Sequence, residues 1–321
     1  MHAHYYGGLV EALRRRTTRP FISRDAQGRD VLNAMTASTV MSEGYTDVEA
    51  RVAYLDDAGI AVQLMTFPGS LGLDVLPVDE SRPAIQAYND HLAAVCAASR
   101  GRLRGLAGLP LADIGAAADE LRRARTVLGL AGAILPGNYF LDVAGAERLR
   151  PVFAAASEVQ ALLLIHPGLA PGEEPPEPYP DNSVYRTSGL ALQASIAQMG
   201  LTLLLGPLLD AFPDVPVQLV NLGGTLPFVL ERLEAIAASR PPYEPFPHEG
   251  LRRLYYDCAS LGPRALELAV KVIGADRITL GTDYPIFAPA HARSIVDAAD
   301  ISEEERTLVL TGTASTLLAR L

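Results

Sequence analysis

The sequence predicts an α/β protein of the (β/α)8 TIM-barrel class, and two observations carry that reading. Eight short apolar runs alternate with longer amphipathic stretches, the rhythm of repeated βα units. The runs are near-continuously apolar rather than alternating, as befits strands of a parallel sheet covered on both faces. Eight such units favour a closed barrel over an open doubly wound sheet. With 321 residues, 49% of them hydrophobic, the chain can fill one large core, and it reads as a single domain over residues 1–321.

Taken in order, the expected strands are His2–Tyr5, Ala61–Thr66, Leu103–Leu109, Leu130–Leu135, Ala161–His166, Pro216–Asn221, Arg253–Ala259 and Ile278–Thr282. Helical periodicity marks Asp47–Ala58, Arg82–Ala98, Ile114–Leu128, Ala144–Ser157, Leu190–Phe212, Leu226–Ala238 and Pro263–Ile273. A last helix opens at Ser302, with Glu305 three residues on completing a capping box. Two segments break the rhythm. Residues 19–45 exceed a simple βα connection, and Phe21–Leu32 reads as a small hairpin turning at Gln27-Gly28, inserted after the first strand. The Pro- and Glu-rich loop 167–185 follows a strand directly and is expected to act as a mobile lid.

Composition removes several function classes. A net charge of −10, from 37 acidic against 27 basic residues with no Lys/Arg block, speaks against nucleic acid as a partner. Apolar runs such as Leu201–Leu209, interrupted by Gly206 and Pro207, fall short of a membrane span, and no leader opens the chain, so the expectation is a cytoplasmic protein. Two cysteines, Cys96 and Cys258, allow neither a disulfide framework nor a Cys-based zinc cluster. The single lysine, Lys271, lies on a helix ending at Gly274, which argues against Schiff-base chemistry and against a carbamylated-lysine dinuclear centre.

In such a barrel, side chains at the carboxyl ends of the strands face one cavity. His2 and His4, at i and i+2 of an extended segment, point the same way. The other strand-end residues are Asn138, His166, Asn221, Asp257 and Asp283. Three imidazoles and a carboxylate suit one divalent metal, Zn above all with Mn or Fe as alternatives, leaving positions open for water or substrate. Each residue also has a plainer reading. His166 could end a strand with a satisfied ring, Asp283 could be a turn or capping carboxylate, and Asp257 a structural acceptor behind the ligands. His91, His248 and His291 read as surface or packing residues. Convergence of His2, His4, His166 and Asp283 on one barrel mouth is what favours the metal.

These residues sit in stretches that resemble the amidohydrolase superfamily, in the branch containing aminocarboxymuconate semialdehyde decarboxylase and γ-resorcylate decarboxylase. The matching pieces are His2-Ala-His4, Arg51 to Gln63 ending Asp57-Ala-Gly-Ile-Ala-Val-Gln, Gly105-Leu-Ala-Gly-Leu-Pro, Ile165-His166-Pro167, Gly223-Gly-Thr-Leu-Pro, Leu254-Tyr-Tyr-Asp257 and Gly281-Thr-Asp283-Tyr-Pro285. The resemblance implies a mononuclear centre held by His2, His4, His166 and Asp283, with Asp283 ionised and able to shuttle a proton. It also suggests a homodimer. The chain departs from the pattern twice. Asn221 stands where the branch usually has a histidine ahead of the Gly-Gly stretch, and an amide cannot exchange a proton near pH 7. Only Met1 precedes His2, whereas the family's first strand begins several residues earlier, so a native start upstream is expected.

The function implied is decarboxylation of a small unsaturated or aromatic carboxylic acid. Asp283 would deliver a proton to the carbon that loses CO2, and Asn221 would orient the substrate. Asn138, Arg24 and Arg29 are possible substrate contacts, with solvated surface arginines as the plainer reading of the last two. Hydrolysis of a cyclic amide, imide or lactone, and a non-catalytic barrel, stand as alternatives.

Overall fold

The computed structural model describes residues 1–175, 184–240, 242 and 244–321. Ten strands occur among them: β1 Phe21–Arg24, β2 Asp30–Asn33, β3 Ser38–Val40, β4 Gln63–Thr66, β5 Leu103–Ala107, β6 Gly132–Pro136, β7 Leu162–His166, β8 Val217–Leu219, β9 Leu254–Asp257 and β10 Ile278–Thr279. The last seven form one parallel sheet in sequence order from β4 to β10. Strands β4, β6, β7 and β9 are buried along their whole length, and the sequence accordingly runs apolar without alternation through β6 and through Leu162 to Ile165 of β7. At Gly132 a Cβ would fall 1.9 Å from the Leu162 carbonyl oxygen, so the close approach of β6 to β7 requires glycine there.

Residues 2–5 stand between the two edges of this sheet. Ala3 bridges to Tyr284 and His4 to Thr66, both in parallel sense. His4 N–H donates to the Tyr284 carbonyl at 2.7 Å, Thr66 N–H to Ala3 at 2.7 Å, and Tyr5 N–H to Thr66 at 3.1 Å. Both edges are thus tied to the segment that carries His2 and His4, by bridges rather than by a full strand. The pairing that the sequence leads one to expect over His2–Tyr5 is present only at Ala3 and His4.

Residues 21–40 form a three-stranded antiparallel sheet, with β1 paired to β2 and β2 to β3. All three residues of β3 are exposed, so no hydrophobic alternation advertises this strand in the sequence. Two helical expectations change. The stretch expected over Ala144–Ser157 divides into Val143–Arg148 and Arg150–Val159, with Pro151 in the first turn of the second, where a missing N–H costs no helical bond. The stretch expected over Leu190–Phe212 ends at Leu205, and a short turn, Leu208–Ala211, follows Gly206-Pro207. A helix over Pro289–Ala298, not foreseen, fills the gap before the Ser302–Glu305 capping box, which is present.

The helical run Val184–Leu205 is long and apolar enough to cross a membrane by length and composition alone. Its second half is instead a covering helix of the sheet, burying Ile196, Met199, Leu203 and Leu204. The lid expected over 167–185 has its centre, 176–183, outside the described residues.

Candidate metal centre

The carboxyl end of the sheet brings four of the expected site residues together. His2, His4, His166 and Asp283 each offer one ligand atom, and these atoms all lie within 4.8 Å of one another. His2 Nε2 is 3.4 Å from His4 Nε2, and Asp283 Oδ1 is 3.3 Å from His4 Nε2 and 3.6 Å from His2 Nε2. Nitrogen ligands about 2.0–2.1 Å from a tetrahedral cation stand roughly 3.4 Å from one another, so the spacing has the scale of a coordination polyhedron.

The rest of the shell orients the rings. His4 Nδ1 meets the Thr66 hydroxyl at 2.9 Å and His166 Nδ1 meets the Pro167 carbonyl at 2.8 Å. Since a carbonyl can only accept, the His166 proton sits on Nδ1 and Nε2 keeps its lone pair. His2 Nδ1 lies 3.4 Å from Asp257 Oδ2 without the alignment of a good hydrogen bond. Asp257 is itself fixed, accepting from Gln218 Nε2 at 3.0 Å, Ala259 N–H at 3.1 Å and Asn221 N–H at 3.3 Å. A Cβ on Gly281 would fall 2.6 Å from Asp257 Oδ1, which explains the glycine two residues before Asp283.

Electrostatics follow from this crowding. Burial alone would push the Asp283 carboxyl up, but His4, His2 and His166 around it hold it below the ordinary carboxylate range. Burial, followed by the neighbouring His4 and His2 rings, drives His166 well below the usual imidazole value, keeping it neutral as a ligand must be. For His2, burial opposes the charged ring, yet Asp257 and Asp283 outweigh it and the net shift is upward.

Asn221 is buried, and its Oδ1 has no hydrogen-bond partner. Asn221 and Asp283 both adopt left-handed backbone, at φ 52° and 50°, a conformation that Asn, Asp and His tolerate better than most side chains. Asn138 is half-buried, with its amide donating to Glu173 at 2.7 Å. The structure does not bring Arg24 and Arg29 to the cluster. Arg24, the last residue of β1, has its Nε 3.6 Å from Asp30, and Arg29, in the turn before β2, donates from Nε to Asp25 at 2.7 Å; both are largely exposed. Thr66 and Gln218 were not singled out in the sequence. The signal available was a polar residue in a buried strand, Thr66 at the end of β4 and Gln218 between Val217 and Leu219 in β8.

A parallel sheet whose carboxyl edge gathers three imidazoles and a carboxylate is the hallmark of a metal-dependent barrel enzyme class. The profile of the family described as Amidohydrolase matches residues 1–320, and the chain belongs to that family, in its aminocarboxymuconate semialdehyde decarboxylase-like branch. It is 29% identical over 244 residues to the 2-amino-3-carboxymuconate-6-semialdehyde decarboxylase of Dictyostelium discoideum, covering 74% of this chain and 66% of that protein. It is 28% identical over 315 residues to the gamma-resorcylate decarboxylase of Rhodococcus jostii, covering 88% and 93%. Among solved structures, a dihydroxybenzoic acid decarboxylase from a Polaromonas species, with bound manganese and the inhibitor 2-nitroresorcinol, aligns at a TM-score of 0.73 and 24% identity, covering 86% of this chain and 87% of that one.

Proposed function

We propose that this chain is a divalent-metal-dependent, non-oxidative decarboxylase of a small aromatic or unsaturated carboxylic acid. The convergence of His2, His4, His166 and Asp283 within 4.8 Å carries the reading, and the decarboxylases among its relatives support the reaction. The fold assigned is a single-domain (β/α)8 barrel, with His2–Tyr5 as the closing eighth strand and residues 19–45 as an insertion. The donor set suits zinc, while the manganese in the Polaromonas relative supports that ion equally. Cytoplasmic location and assembly as a homodimer belong to the same proposal, the latter tested by light scattering.

When bound, the metal supplies Lewis acidity toward a substrate oxygen. The chain's own groups do the rest. His4 is fixed by the Thr66 hydroxyl and His166 by the Pro167 carbonyl, while the Asp257 carboxylate lies beside His2, so two of the three rings are oriented by hydrogen bonds before substrate arrives. Asp283, ionised at rest, takes up a proton from the substrate's own acidic O–H or from water and relays it to the substrate carbon as the bond from that carbon to the carboxylate breaks, so the electron pair left on carbon takes the proton and CO2 departs. The unpartnered Asn221 Oδ1 accepts a hydrogen bond from a substrate hydroxyl or N–H and orients the ring. The test is CO2 release from a panel of hydroxybenzoic and unsaturated acids by manganese- or zinc-loaded protein, with Asp283→Asn reducing turnover at least 100-fold. No release from any acid would overturn the assignment. An amide at position 221 favours hydrolysis as the second reading, and lactones and cyclic imides in the same panel separate the two.

A further inference from the structure

Arg51 belongs to the helix Val48–Asp57, yet it is fully buried. A cation taken out of water ordinarily brings a carboxylate with it, but no carboxylate among the described residues pairs with this one. Its Nη1 donates to Gln63 Oε1 at 2.8 Å, and Nη2 to the carbonyls of His4 at 2.7 Å and Gly44 at 2.6 Å. The guanidinium also stacks on aromatic rings, 4.7 Å from the centre of Tyr284 and 5.6 Å from that of Tyr5. Burial pulls its pKa down to about 10, which leaves it charged at neutral pH.

The partners are not a random set. His4 presents its ring to the metal cluster, and Tyr284 directly follows Asp283 and accepts the His4 N–H. Gly44 lies against the Tyr284 hydroxyl, in space a side chain would need. Gln63 opens β4, the strand that pairs with His4 through Thr66. One guanidinium therefore joins the segment carrying two ligands, the turn carrying a third, the first strand of the sheet and the end of the inserted segment. The planar fork reaches three acceptors at once, which an ammonium on a flexible stem does less well.

We propose that Arg51 is a positioning residue for the metal centre, fixing the backbone of His4 and the ring beside Asp283 so that their ligand atoms keep their spacing. This rests on the metal reading above. The test is Arg51→Lys, which keeps the charge and loses the fork, judged by two readouts. Cobalt(II) affinity should fall 10- to 100-fold, with a shifted visible absorption band, as happens when groups orienting metal ligands are lost. In metal-free protein, amide exchange at His4 and Tyr5 should accelerate at least 10-fold while that of Leu163 to Ile165 in β7 stays unchanged. A folded variant whose cobalt affinity, spectrum and exchange all match wild type within twofold would overturn the proposal. If Arg51→Lys fails to fold, Gln63→Leu removes one anchor and leaves the arginine. A threefold or greater loss of cobalt affinity together with faster His4 exchange supports the clamp, and no change in either overturns it. Wild-type protein that takes up no cobalt, manganese or zinc would end the metal assignment instead, and the exchange comparison would still decide the role of Arg51.

Discussion

Two carboxylates are sealed inside this protein in opposite states. Asp257, at the end of β9, receives the Gln218 amide and two backbone N–H groups and sits beside His2. Burial would raise its pKa, but the His2 ring, first through its charge, reverses the effect and the carboxyl is held below its ordinary range. Asp74 lies in the loop between the turn Gly69–Leu71 and the helix Val78–Ala98, where its Oδ1 has no partner. There burial pushes the carboxyl up to about 8. Equal burial thus yields an anion where donors converge and a neutral acid where they do not. The end of β9 is organised around charge, and the loop at Asp74 only tolerates a polar group.

Removing the better-supplied carboxylate should have the largest effect. Asp257→Ala strands the Gln218 amide, two N–H groups and His2. It is expected to cost about 3–5 kcal/mol in denaturant unfolding, and to weaken metal binding 10- to 100-fold by titration. Next, manganese or zinc at 100 times its dissociation constant should stabilise the wild type by about 2.7 kcal/mol. Calorimetry should lose that increment when chelator is added or when His166 is replaced by Ala. An increment that survives in His166→Ala would place the ion elsewhere.

The Asp74 side of the comparison is sharpened by pH. The folded state binds the Asp74 proton more tightly than the unfolded chain, whose value is 3.8. The resulting stability is fully present below that value and is lost as pH rises toward about 8. Asp74→Asn should therefore raise Tm by about 2–4 °C at pH 8.5, and by less at pH 5. Equal shifts at both pH values would mean that Asp74 titrates normally. The smallest effects belong to Arg24→Ala and Arg29→Ala, whose exposed ion pairs should change stability by no more than about 0.5 kcal/mol. A tenfold rise in KM in either variant would instead make that arginine a substrate anchor.

Much of the architecture was legible because it depends on local signals. Continuous apolar runs marked the seven strands of the parallel sheet, and strand ends nominated His166 and Asp283. The spacing of His2 and His4 gave their common direction without any tertiary information. What escaped the sequence depended on contacts or on exposure. Strand β3 has no buried face, so nothing in Ser38–Val40 alternates. Pro151 looks like an interior residue until the chain is seen to restart a helix at Arg150. The bond from Arg51 to Gln63 joins a helix to a strand, and only the fold shows that a charged side chain in the helix turns inward. Asn138 was nominated by position alone, and its amide proves to be held by Glu173.

The left-handed backbone at Asn221 bears on how this chemistry can change over time. Few side chains accept such a torsion, and histidine is among those that do. Asparagine and histidine codons differ by a single base, so an imidazole could replace the amide without the loop having to be rebuilt. Position 221 is therefore a place where a lineage could gain or relinquish an acid–base group in one mutational step, with the ligand cluster left as it stands.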